Sequence, residues 1–149
     1  MVSGDVQTGM LPVPFATQVQ MKSENVGVID LQSECAKIAD AELAQGVIIT
    51  TAEFAKDHAA ELDTFLADFK ASSEFAVSNV DETAAYVEEL GILPSADLAK
   101  KAIPDCNIVY IDGEDMKATV NGFLTVLYNA DPKAVGGAMP DDDFYYIAG

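Results

Sequence analysis

The chain has 149 residues, half of them hydrophobic, with 25 acidic side chains against eight lysines, no arginine and a net charge of −17. That length is one domain's worth of globular sequence, and the charge excludes nucleic acid and disfavours anionic membrane surfaces, which need clustered Lys or Arg. No apolar run approaches the ~20 residues that span a bilayer, and no basic-then-apolar export signal is present in this chain.

Val6–Leu11 reads as a short buried strand, and Pro12-Val13-Pro14 ends it because proline lacks the amide proton and fixes φ. Phe15–Ser23 is expected to be helical, Val26–Leu31 a second strand, and Ser33–Leu43 a weak, Ala-rich helix. Gly46-Val47-Ile48-Ile49-Thr50 is a β-branched run bounded by polar residues and gives the strongest strand signal in the chain. Thr50 with Glu53 reads as a capping box that starts a helix.

Beyond that point the pattern is helical. Leu62, Phe65, Leu66 and Phe69 form one apolar stripe on a helix expected over Ala59–Ser78. Asn79 with Glu82 caps the next helix, which ends at Gly91, a left-handed C′ residue in this reading. A short helix over Ala96–Ala102 is stopped by Pro104, and Ile108–Ile111 reads as extended. Asp112 caps a last helix with a stripe of Met116, Val120, Phe123, Leu124 and Leu127, ending by Asp131-Pro132. Composition shifts near Gln45, from strand-like to helical.

The chemistry-bearing residues are sparse. His58, the single histidine, sits near Asp57 and Glu61, but one histidine without an arranged nucleophile makes no triad. Asp141-Asp142-Asp143 lacks the alternating Asp and turn Gly of an EF-hand loop and reads as a solvated turn, with Phe144, Tyr145 and Tyr146 packing the tail back. Cys35 and Cys106 are compatible with one long-range disulfide or with two small free hydrophobes. We therefore expect no catalytic residue, no metal and no cofactor.

Gly4-Asp5-Val6 followed by Pro12-Val13-Pro14-Phe15-Ala16-Thr17 is similar to the segment Gly-x-Val-Asp-Ala … Pro-Glu-Pro-Phe-Ala-Thr of bacterial solute-binding proteins. These are the ABC-transporter receptors of the nitrate/sulfonate/taurine and thiamine-precursor group. Gln45–Ile49 followed by Glu53-Phe54-Ala55 resembles that family's returning strand and helix start. Cys106–Gly113, Val126–Tyr128 and Pro140–Tyr146 resemble C-terminal phrases of one clostridial-type branch. Two positions depart: Gln7 stands where the family often has Asp, and Val13 where it often has Glu. No polar ligand contact is carried onto Val13.

The resemblance implies an α/β fold, the C-terminal part of a two-lobed periplasmic-binding-protein type II architecture with few short strands and mostly helices. Residues 1–43 would end lobe two and residues 44–149 would form the helical part of lobe one. The first half of the receptor would be missing from this chain. The implied function is the solute-binding component of an ABC importer, extracytoplasmic, docking on a membrane permease. A small molecule, an anion or pyrimidine-like, would bind between the lobes by hinge closure.

Leu11, Pro12, Pro14, Gln45 and Gly46 are the ligand-binding candidates the resemblance supplies. Arginine most naturally holds a sulfonate or carboxylate, so an anionic ligand would rely on lysine, backbone amides or groups outside this chain. Core that should face the missing half predicts an exposed apolar patch and a tendency to homodimerise. The alternatives are a free-standing acidic α/β interaction module and, third, an enzyme of the pyrimidine-synthase type.

Overall fold

The computed structural model describes residues 2–38 and 41–148. Its helices are α1 (Phe15–Lys22), α2 (Leu31–Ile38), α3 (Ala52–Asp57), α4 (Ala59–Ser78), α5 (Val80–Glu89), α6 (Ala96–Ala102) and α7 (Gly113–Ala130). Short 3-10 turns follow at Ile103–Asp105, Pro132–Val135 and Asp142–Phe144.

Among the described residues there is no strand, which overturns the expected α/β class and the two-lobed type II architecture. The runs 6–11, 26–30, 46–50 and 108–111 lie outside helix and sheet. The physical reason is local. A helix satisfies its own backbone groups, whereas a strand exists only through a neighbour that pairs with it.

Helix ends follow the side chains available. Asp30 caps α2: its carboxylate accepts from the amides of Gln32 at 3.0 Å and Ser33 at 3.3 Å, and from the Ser33 hydroxyl. The run expected to be strand through Leu31 therefore ends as a helix cap, and residues 39–40 of the helix expected over 33–43 lie outside the described residues. Thr51, rather than Thr50, caps α3, its hydroxyl accepting from Phe54 N at 3.1 Å.

α5 ends as the sequence predicts. Gly91 has φ +68°, with Gly91 N donating to Glu88 O and Ile92 N to Val87 O, both at 2.9 Å. This is the paired bonding of a Schellman turn. Ser95 caps α6 by accepting from Leu98 N at 3.3 Å, and at Pro104 the chain tightens into a 3-10 turn.

The chain divides into two compact units, Met1–Val28 with Ala67–Tyr110, and Ile29–Leu66 with Ile111–Gly149. The first is centred on Ala84 of α5, Ala99 of α6 and Ile103, with Val80, Val87, Leu93, Ala96 and Ile108 packed around them. Alanines at the contact let α5 and α6 approach closely, and α1, through its buried Thr17, adds to the same unit.

In the second unit the buried side chains among the described residues are Leu62 of α4 and Tyr145. Two of the three expected tail residues hold it: Tyr146 Oη donates to Asp63 Oδ1 at 2.9 Å, and Tyr145 Oη lies 3.4 Å from Asn121 Oδ1, whereas Phe144 is exposed. Lys117 Nζ bonds Asp142 Oδ1 at 2.8 Å and lies 5.8 Å from the Tyr145 ring centroid. The α7 stripe, Met116 through Leu127, is half-buried throughout.

Candidate functional site

The first candidate segment leads into α1. The Pro12 carbonyl accepts from Ala16 N at 3.2 Å and the Pro14 carbonyl from Gln18 N at 3.0 Å, so the proline pair sets the helix start with main-chain groups. The Val13–Pro14 peptide is cis. Leu11 and Pro12 are exposed, and Val13 and Pro14 are half-buried. The segment offers apolar contact and carbonyls but no polar side chain.

Gln45 and Gly46 belong to the other unit and are both exposed. Gln45 brings an amide that both donates and accepts, and a Cβ added at Gly46 would meet nothing within 4 Å. Leu11, Pro12 and Pro14 are thus gathered at one turn. Gln45 and Gly46 form a second, separate pair.

Sequence reasoning missed an open cavity of about 540 Å³ at the α4–α5 junction, lined by Ser78, Asn79, Val80, Asp81, Glu82 and Lys100. Asn79 was legible as a helix start, but its side chain bonds backward, donating to Phe75 O at 3.4 Å and Ser78 Oγ at 3.1 Å. Lys100 pairs with Asp81 across α5 and α6, and the hydrogen bond, then the charge, of Asp81 raise the lysine above its ordinary range. Tyr86 Oη donates to Glu82 Oε1 at 2.7 Å, and that bond raises the phenol. Both acids and the lysine are solvent-bathed, which makes this an acidic surface.

His58 closes α3 and stacks on Phe54 at 4.7 Å between ring centroids, with Nδ1 3.8 Å from Glu61 Oε1. Among the described residues no group of three or more His, Cys, Asp or Glu could hold a metal ion. Cys35 and Cys106 are free and half-buried. Burial, then the Asp105 charge, pushes the Cys106 thiol up, away from the reactive thiolate.

The chain matches no protein-family model and no curated protein. It is similar to the crystal structure of an ABC transporter from Parabacteroides distasonis, with 30% identity and a TM-score of 0.81. The match covers 99% of this chain and 51% of that one, so the chain spans about half the length of the solved protein it matches. The fold is thus related to that of an ABC-transporter protein. Among the described residues no helix is long and apolar enough to cross a membrane.

Proposed function

We propose that this chain is part of the solute-binding component of an ABC importer. The observation that carries the reading is the match, over nearly its whole length, to an ABC transporter of about twice the size. The family phrases at Gly4–Val6, Pro12–Thr17 and Gln45–Ile49 point independently to the nitrate/sulfonate/taurine and thiamine-precursor receptors. In this reading the protein works outside the cytoplasm and does no covalent chemistry. It takes a small anion or a pyrimidine-like solute in a cleft shared with the rest of the complete receptor, closes around it, and delivers the solute to a membrane permease.

Leu11, Pro12 and Pro14 would supply an apolar wall. Gln45 would supply a hydrogen-bonding amide, and Gly46 a stretch of main chain that a ligand can approach closely. With eight lysines, no arginine and a net charge of −17, the chain supplies little attraction for an anion by itself.

The test is isothermal titration of taurine, an alkanesulfonate, nitrate and a pyrimidine. Each is titrated into this chain alone and into the chain joined to the counterpart of the relative's other half. The reading expects tight binding of one solute by the joined protein, and weak or undetectable binding by the chain alone. Full affinity in the chain alone contradicts a shared cleft. No heat from any of the four in the joined protein contradicts the receptor reading.

A further inference from the structure

α5 carries apolar side chains on two sides, and its packing uses one of them. Val80, Ala84 and Val87 join the core made with α6 and Ile103. On the outer side Tyr86 and Leu90 stand one turn apart, 48% and 73% exposed, and Ile92, just beyond the helix, is 66% exposed. These side chains do not hang on a loose loop. Gly91 at φ +68° and the paired bonds, Gly91 N to Glu88 O and Ile92 N to Val87 O, fix the chain on both sides of the turn. A stripe held this way loses little freedom when a partner covers it.

Charge says what kind of partner fits. Glu82 and Glu89 are two turns apart, which puts both carboxylates along one edge of the stripe. Tyr86 Oη donates to Glu82 Oε1 at 2.7 Å; that bond, then the Glu82 charge, raises the phenol, and the Glu89 charge adds to it. Glu89 also sits in the last turn of α5, where a helix disfavours negative charge and where no basic residue offsets it. Among the described residues no ion pair reaches Glu82 or Glu89. Nucleic acid, an anionic membrane or a second copy of this chain would bring like charge to that edge. A helix with one aliphatic face and a lysine- or arginine-bearing edge brings the complement of both parts.

We infer that Tyr86, Leu90 and Ile92 form a docking stripe for a cationic amphipathic helix of another protein. Aliphatic side chains at i and i+4 of that helix cover Tyr86 and Leu90, and its basic edge pairs with Glu82 and Glu89. All five residues belong to one unit of the chain, so the inference stands apart from the receptor reading and from any solute.

The probe is a fluorescein-labelled peptide of leucine and lysine whose leucines share one helical face. Anisotropy reads its binding to this chain, and to the chain joined to the counterpart of the relative's other half. Both should bind it saturably, at least about tenfold more tightly than a scrambled peptide of the same composition. Leu90→Lys and Ile92→Lys should each weaken binding about tenfold. Ile49→Lys, the same change of charge at an exposed position in the other unit, should leave it within about twofold. Glu82→Gln with Glu89→Gln should also cost about tenfold, and Glu53→Gln with Glu61→Gln, which removes two charges from the other unit, no more than about twofold. Helical circular dichroism should be unchanged in every variant. Equal binding of the scrambled peptide, or equal losses in the charge-matched controls, would reduce the effect to net charge and overturn the inference. Binding by the chain alone that disappears in the joined protein also overturns it, because the other half then covers the stripe.

Discussion

The α5–α6 region and the run 43–50 carry comparable apolar content and reach opposite outcomes. In the first, helices close their own hydrogen bonds, Ser95 and Gly91 mark their ends, and Ala84 and Ala99 are buried against Ile103. In the second, the most β-prone residues of the chain lie open with an unpaired backbone. The difference is that a helix needs only its own residues, while a strand needs a second segment, which none of the described residues brings to it.

The sharpest way to break that comparison is truncation on each side of it. Ile103→Ala, at a side chain 6% exposed, should cost about 3 kcal/mol in urea melts. Ile49→Ala, 84% exposed, should cost no more than about 0.5 kcal/mol. Equal losses would mean that the open run is packed after all.

The next effects are at helix ends in the well-formed region. Ser95→Ala should lose about 1 kcal/mol through the Leu98 amide it leaves bare. Gly91→Ala meets open space, yet should cost about 1 kcal/mol because φ +68° disfavours any Cβ. Thermal or urea unfolding reads both, and an unchanged midpoint for Gly91→Ala would contradict the Schellman end.

The smallest effect concerns the tail. The hydrogen bond and charge of Lys117 hold the Asp142 carboxyl below its ordinary value of 3.8. A lowered carboxylate adds stability that is fully present above that ordinary value and is lost as pH falls through the lower folded one. Both charges are on the surface, so the effect is a loosening of the tail and not unfolding. The Tyr145 ring signals in NMR should shift toward unfolded positions only below pH 3.8, and Lys117→Met should remove that pH step.

Helix positions were largely legible in the sequence because their signals are local. The stripe from Leu62 to Phe69, Gly91, Pro104 and the break at Asp131-Pro132 each act within a turn or two of themselves. Asp30 was misread because a β-branched run preceding it outweighed its capping chemistry. Lys100 against Asp81 joins different helices and has no signal in spacing. The strands failed for a deeper reason: Val47, Ile48 and Ile49 announce that they need covering, but a pattern of apolar residues does not say by what. The candidate ligand residues came from resemblance, which gives positions such as Leu11 and Gln45 without the polar groups that would face a solute.

Native-state hydrogen exchange on the isolated chain tests the central contrast most directly. The amides of Ala84–Leu90 should exchange slowly, near the rate set by global unfolding, and those of Gly46–Thr50 at close to the unprotected chemical rate. Comparable protection in the two segments would contradict it.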